Sequence, residues 1–532
     1  MARQMATRFV RPYLDINGAA LSRLGFGVVV SLLAGASVAA ASAPWQLAWL
    51  SPIGVAGFVA VVGMGGLRYS FLLGYVFGAA YVLMLTSWMR AVGVDAWLLI
   101  GMVVALHYGV LGLGIGLVRR LPCWPLWVGC LWSAAEVLMS AWPLGGFPWT
   151  RLAWATADTP FAWWFPWIGA TGVSLLVAMS GSVLAWLAVS AETRPRAAVA
   201  ALLSVTLLAL LPVVMRSQSL RLAWQRDLPS ATIAVVQGDV PGAGDDLLAV
   251  HREVTRNQVA ATVQLGSRVA RGEVERPDFV LWPENSTAVD PFNDASTWQA
   301  ISTAVAAVDV PILVGAIVDG ARAETLLNQG IVWTPAGGVE QRYTKRHPVP
   351  FGEYIPFREW LAGLKIGRLA MIPRDMVQGT GSAPLDINGV AVADLICFDV
   401  AFDDSVAEQV REGAQVITVQ TSNAMFIKTA QPEQQFTISR LRAMETGRTV
   451  VVASTNGISG VIAPDGSIRS TLAPRATEVL VVKVPLQSRL TLAATIGGPL
   501  KALVLGSAGG ALLWAGVRRQ PTWRRSPVRN ED

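Results

Sequence analysis

The chain has 532 residues, 53% apolar and only 15% charged, with a mean hydropathy of +0.47, whereas an ordinary soluble domain carries about 25% charged residues. That deficit excludes a single water-soluble globule, and the apolar content excludes intrinsic disorder. The net charge of +6 does not point to nucleic acid, because the basic residues lie in short clusters between apolar runs rather than in one patch.

Between Leu24 and Val118 the only formal charges are Arg68, Arg90 and Asp95. The runs they separate are long enough to cross about 30 Å of hydrocarbon as helices. The pattern predicts spans at 24–42, 45–66, 68–88, 95–118, 123–142, 165–190 and 196–215, and an eighth at 495–517. Basic residues are retained on the cytoplasmic side. With a cytoplasmic N-terminus, Arg3, Arg8, Arg11, Arg23, Arg68, Arg119, Arg120, Arg194, Arg196 and the arginines from Arg518 onward fall inside, and the short outer loops hold only Arg90 and Arg151. Eight spans return the C-terminus to the cytoplasm and leave the segment between spans seven and eight outside. Ala41-Ser42-Ala43 also reads as a cleavage site, so the first run is alternatively a signal peptide, with the later topology unchanged.

Within this region Glu136 lies in span five, where a carboxylate is either a functional group, here a candidate lipid contact, or one satisfied by an interhelical hydrogen bond. Gly112-Leu113-Gly114-Ile115-Gly116 lacks the strand-to-helix setting of a nucleotide loop and reads as close helix packing. The loop between spans five and six is rich in tryptophan and centres on Gly145-Gly146-Phe147-Pro148-Trp149. It is expected as a non-helical segment at the outer interface, either an ordinary aromatic belt or a lip in which Phe147 and Trp149 contact lipid.

Near residue 220 the composition becomes that of a soluble domain. Strands are expected at 231–237, 278–282, 311–318, 390–397, 415–420, 449–453 and 478–484, with helices at 245–270 and 430–447. Alternating strands and helices argue an α/β domain. The expected division is therefore a membrane domain over 1–219, an extracytoplasmic domain over 220–490, and a final span with a basic cytoplasmic tail over 491–532. The 363–381 stretch reads either as a mobile lid or as a packed surface helix.

Three cysteines and three scattered histidines give neither a disulfide framework nor zinc-ligand spacing, and no metal or cofactor is implied. Cys397 ends an apolar strand and is alone in the extracytoplasmic domain, so it is either an inert buried thiol or a nucleophile. A thiol is activated by a neighbouring base or cation. Glu284, after Leu281-Trp282-Pro283, could be the base; Lys345, after Tyr343-Thr344, could be the cation, stabilising an oxyanion together with the backbone N–H of Phe398.

These residues carry a resemblance. Trp282-Pro283-Glu284, Tyr343-Thr344-Lys345 and the strand-end cysteine resemble, in chain order, the Glu-Lys-Cys triad of the nitrilase superfamily. The 349–356 segment (VPFGEYIP), the Gly146-Phe147-Pro148-Trp149 loop and the 440–448 segment (RLRAMETGR) are similar to one membrane branch of it, the apolipoprotein N-acyltransferases. The resemblance implies a four-layer α-β-β-α domain on a multi-span helical base in the bacterial cell membrane. It also implies transfer of an acyl chain from a membrane phospholipid, through a cysteine thioester, to the α-amino group of the N-terminal diacylglyceryl-cysteine of an apolipoprotein. Carried over, Cys397 is the nucleophile, Glu284 the general base, Lys345 the oxyanion stabiliser and Glu353 an ordering carboxylate, with Phe398, Asp399, Ser422 and Asn423 in support. The chain departs from the family where Cys397-Phe398-Asp399 stands for Cys-Tyr-Glu, and where Ser422-Asn423-Ala424-Met425-Phe426 stands for Ser-Asn-Asp-x-Trp-Phe. Two other readings are a membrane-anchored nitrilase-like amidase and a scaffold or transporter with a degenerate domain; the number of helices argues against the first and the intact Glu-Lys-Cys set against the second.

Overall fold

The computed structural model describes residues 18–190, 228–243, 245, 250–287, 289–361 and 372–518, with scattered positions between 193 and 211. Half of the span expected at 196–215 falls outside the described residues, as do most of the terminal arginines and the 363–371 part of the lid-or-helix stretch.

Among the residues described without a break, the apolar helices α1 (Gly18–Ala40), α2 (Leu50–Val62), α3 (Leu67–Leu85), α4 (Val94–Val118), α5 (Trp124–Met139) and α6 (Phe165–Ser190) come first. Five helical segments among the described residues are long and apolar enough to cross a membrane: Leu21–Ala40, Leu67–Leu85, Val94–Val118, Pro160–Ser190 and Leu492–Val517. The spans expected at 45–66 and 123–142 are shorter than the sequence suggested. α2 has 13 residues and α5 has 16, or about 20 and 24 Å at 1.5 Å per residue. The apolar residues flanking them form turns, which hydrophobicity alone does not distinguish from helix. The 112–116 glycines do serve close packing, since a Cβ on Gly112 would stand 2.3 Å from the Ser70 carbonyl oxygen of α3.

The second part is built on two sheets. β1 (Ser230–Gln237), β2 (Phe279–Leu281), β3 (Ile312–Asp319), β4 (Thr325–Thr334), β5 (Gly338–Thr344) and β6 (Asp375–Met376) join the first. β7 (Leu385–Ile387), β8 (Val390–Ile396), β9 (Val416–Thr421), β10 (Val450–Ser454), β11 (Gly460–Ile462) and β12 (Ile468–Thr471) form the second, and β13 (Glu478–Pro485) returns to the first. The orders are β13-β1-β2-β3-β4-β5, with β6 on β4, and β12-β11-β10-β9-β8-β7. Each sheet has a parallel centre, β1-β2-β3 and β8-β9-β10, flanked by antiparallel strands.

The two-residue period of the strands assigns each face. Ala231, Ile233 and Val235 point between the sheets, against Val392, Val416 and Val451. Ala234 and Val236 point outward, under α7 (His251–Ala270) and α8 (Ala295–Val308). On the second sheet Ala393, Leu395, Ile417 and Val419 point outward, under α9 (Asp403–Arg411) and α10 (Gln431–Thr446). The result is the four-layer α-β-β-α arrangement. The layer holding α9 and α10 lies against the helical bundle, and its apolar residues form one continuous core with those of the bundle. The last helix, α11 (Leu492–Val517), returns to pack on α5 and α6.

Candidate active site

Glu284, Lys345 and Cys397 are each delivered by the end of a strand, and Glu353 by the loop after β5. β2 stops at Leu281 because Pro283 has no N–H for the ladder, and the chain turns to present Glu284. That turn lies directly on β3, where a Cβ at Gly315 would stand 2.2 Å from the Pro283 carbonyl oxygen. Lys345 is the first residue past β5, and its N–H donates to the Asn328 carbonyl at 2.9 Å, continuing the ladder one step. Cys397 leaves β8 with φ of +52° and opens a tight turn over Cys397–Ala401.

The Lys345 ammonium, 1% exposed, stands 3.0 Å from Glu284 Oε1 and 2.8 Å from Glu353 Oε1. The Asn328 side-chain amide donates to the same two oxygens, at 2.8 and 3.1 Å. The remaining carboxylate oxygens are met by backbone: Ser422 N–H donates to Glu284 Oε2 at 2.8 Å and Val349 N–H to Glu353 Oε2 at 2.7 Å. Burial opposes charge on Lys345, but Glu284 and Glu353 outweigh it and hold the ammonium well above its ordinary range.

Burial and the nearby Glu284 push the Cys397 thiol up to about 12, against the opposing pull of Lys345 and of a hydrogen bond with Thr421. The resting group is therefore a thiol, and its proton must leave as the sulfur attacks. Glu284 is a carboxylate electrostatically coupled to this thiol.

Asp399 couples the nucleophile turn to the lysine segment. Its Oδ2 accepts from the Tyr343 hydroxyl at 2.9 Å and its Oδ1 from His347 N–H at 2.9 Å, so it holds the residues on both sides of Lys345. Burial pushes this carboxyl above its ordinary value, with His347 and Lys345 opposing. From the other side the buried Arg442 donates to the carbonyls of Val400 and Ala401, each at 2.9 Å, and so anchors the far end of the same turn to α10.

Glu284, Lys345, Glu353 and Cys397 thus converge, with Ser422 contributing its N–H and Phe398 following the sulfur. Asn423 does not touch them: its amide donates to Gln431 and Gln435 and accepts from Ser454, pinning the loop after β9. The expectation that Phe147, Trp149 and Glu136 face lipid is corrected. Phe147 and Trp149 are buried, each with its ring 5.8 Å from that of Phe398. Glu136 is buried and accepts from Leu152 N–H at 2.9 Å and Trp132 Nε1 at 3.1 Å. These three hold the tryptophan-rich loop from within, while Trp142 is 70% exposed.

Two participants had no signal strong enough to find. Asn328 lies in β4, a strand whose polar centre hides its period. Gln434 of α10 accepts from the indoles of Trp88 and Trp149 and donates to the carbonyls of Ala43 and Leu85, so one amide joins the α/β part to three segments of the bundle. Among the described residues no cluster of three or more His, Cys, Asp or Glu side chains could hold a metal ion.

Comparison with known proteins bears on both parts. Residues 34–183 match the model of the apolipoprotein N-acyltransferase N-terminal domain, and residues 232–492 that of the carbon-nitrogen hydrolases. An apolipoprotein N-acyltransferase of Mycolicibacterium smegmatis is 36% identical over 470 residues, covering 84% of this chain and 77% of that protein. One from Bordetella bronchiseptica is 30% identical over 421 residues, 74% of this chain and 73% of that protein. One from Pseudomonas aeruginosa is 27% identical and spans 94% of this chain and 98% of its own length.

Proposed function

The chain belongs to the apolipoprotein N-acyltransferase family, and on that premise we propose that Glu284, Lys345 and Cys397 carry its N-acylation of lipoproteins, with a membrane phospholipid as acyl donor. The observation that carries the assignment is one buried ammonium shared between Glu284 and Glu353, electrostatically coupled to the strand-end thiol of Cys397.

In the first half-reaction Glu284 removes the thiol proton as sulfur attacks the ester carbonyl. Lys345, with the N–H of Phe398, stabilises the oxyanion. Collapse leaves a thioester on Cys397, and the proton on Glu284 passes to the departing lysophospholipid alcohol. In the second, the neutral α-amine of a diacylglyceryl-cysteine attacks the thioester and yields its proton to Glu284; the C–S bond breaks to leave the amide, and Glu284 returns the proton to the departing Cys397 sulfur. Splitting the transfer into two acyl steps gives ping-pong kinetics. Glu353 and Asn328 hold Lys345 and Glu284 in register.

The amidase alternative is not favoured: a hydrolase needs only an anchor, whereas here the bundle and the α9–α10 layer share one core. The protein is a membrane protein, with five segments among the described residues able to span. The finer topology, with the α/β domain outside and both termini in the cytoplasm, is supported by the asymmetric placement of arginine.

Purified wild type given phospholipid and a diacylglyceryl-peptide should release lysophospholipid and N-acylated peptide, and Cys397→Ala should form no covalent acyl adduct by intact-protein mass spectrometry. An adduct on Cys397→Ala would refute the nucleophile; free fatty acid as the sole acyl product would favour a hydrolase.

A further inference from the structure

We propose that Gln434 of α10 is a positioning residue for acyl transfer: it sets the indole of Trp149 and, through that ring, the Phe398 backbone N–H that meets the oxyanion. This rests on the acyl-enzyme reading above.

Gln434 is buried where α10 meets the bundle. Its Oε1 accepts from Trp149 Nε1 at 2.7 Å and Trp88 Nε1 at 3.1 Å, and its Nε2 donates to the carbonyls of Ala43 at 2.8 Å and Leu85 at 3.1 Å. An amide offers two lone pairs and two N–H groups, so all four are used. Turning the amide over would set N–H against N–H at both indoles and oxygen against oxygen at both carbonyls. Gln434 therefore has one orientation, and it imposes one on Trp149.

The backbone of Trp149 is held separately, in the turn Pro148–Thr150. The Thr150 carbonyl accepts from the hydroxyls of Tyr81 at 3.0 Å and Tyr108 at 3.3 Å. What those bonds leave free is rotation of the indole about its side-chain torsions, and the 2.7 Å bond to Gln434 fixes it. The ring so fixed stacks on Phe398, with centroids 5.8 Å apart and planes 24° apart.

Phe398 has no polar atom on its side chain, so packing alone places its ring. Its backbone belongs to the tight turn Cys397–Ala401, whose far end Arg442 holds by the carbonyls of Val400 and Ala401. Gln434 and Arg442 both lie on α10. One helix thus governs both ends of the nucleophile turn, directly at the far end and through an indole at the near end. An oxyanion donor is effective only when aimed at the place where charge develops, and a displacement of about 1 Å can cost about a hundredfold in rate.

The test uses two reactions of the same sulfur in the purified full-length protein, read by intact-protein mass spectrometry. Thioester formation from a phospholipid or a 4-nitrophenyl acyl ester passes through an oxyanion. Alkylation by iodoacetamide displaces iodide at carbon and forms none, although the thiol proton leaves in both. Gln434→Leu should lower the maximal rate of thioester formation at least about tenfold, part of the roughly 10²–10³ lost when an oxyanion donor is removed outright, and leave alkylation within about twofold. Trp149→Phe keeps a ring but has no N–H, and should behave in the same way. The double variant should be no slower than the slower single one, because both changes break one link. Equal slowing of acylation and alkylation would overturn the proposal in favour of a general packing role, and so would losses that add. Acylation within twofold of wild type in either variant would overturn it as well. Should Gln434→Leu fail to fold, Trp149→Phe decides by the same ratio of rates. Wild type that is alkylated at Cys397 yet forms no thioester from either donor would instead remove the acyl-enzyme reading itself.

Discussion

Asp394 offers a quantitative check on the two-sheet core. It lies in β8 at 0% exposure, between the sheets. Its Oδ1 accepts from the Thr418 hydroxyl at 2.8 Å. Its Oδ2 and Gln420 Oε1 both crowd against Gly330 of β4, and neither has a donor among the described residues. Burial therefore pushes the carboxyl from its ordinary 3.8 up to about 7, against the Thr418 hydrogen bond. The sign follows from linkage: the unfolded chain releases this proton near pH 4, the folded one near pH 7. The neutral acid's stabilising contribution is thus full below about pH 4 and is lost as the pH rises through about 7. At roughly 1.4 kcal/mol per pH unit the loss amounts to about 4 kcal/mol. Asp394→Asn places a permanent donor beside Gln420 Oε1 and carries no charge to desolvate. Thermal unfolding of both proteins in detergent should give similar midpoints near pH 5. About 3 kcal/mol of that loss falls between pH 5 and pH 8, so the midpoint of the variant should gain roughly 6–12 °C on wild type over this range, at roughly 2–4 °C per kcal/mol for a domain of this size. A midpoint difference that stays constant from pH 5 to pH 8 would refute the reasoning.

Two further outcomes follow from packing and geometry. Arg442→Leu strips hydrogen bonds from Val400 and Ala401 and leaves Asp403 and Glu445 short of a cation. It should destabilise the protein by about 3–5 kcal/mol, read as a lowered unfolding midpoint, and Arg442→Lys should recover less than half because an ammonium cannot reproduce the guanidinium fork. Gly315→Ala drives a methyl against the Pro283 carbonyl and the Glu284 backbone, and should slow thioester formation at least tenfold by shifting the base; a rate within twofold of wild type would show that the turn carrying Glu284 can yield.

The legible parts of the fold were those whose neighbours impose one requirement. The seven expected strands lie within one residue of β1, β2, β3, β8, β9, β10 and β13 at each end, because each is apolar on both faces. β4 and β5 were missed for opposite reasons. The centre of β4 turns Asn328 toward the reacting groups, while β5 is an edge strand with exposed Glu340 and Arg342, so neither shows a clean alternation. In the site, Glu284, Lys345, Glu353 and Cys397 were readable from motif and order. The tryptophan loop was not, because an indole suits a membrane interface and a buried hydrogen-bonded position equally well. Trp142 and Trp149, seven residues apart, take the two different options, and only their partners decide which.

The unbroken core between the bundle and the α9–α10 layer has a practical corollary. No seam exists along which the α/β part could be cut free as a soluble enzyme. Excision would uncover Ile438, Leu441 and Phe398 and strip Gln434 of both indole donors. The same continuity limits exchange between relatives: a hybrid that takes its helices from one parent and its sheets from another must match α10 to the loops at Ala43, Leu85 and Trp149 simultaneously. The two halves are thereby held to one shared set of contacts, and should tolerate exchange only together, not as a module on an anchor.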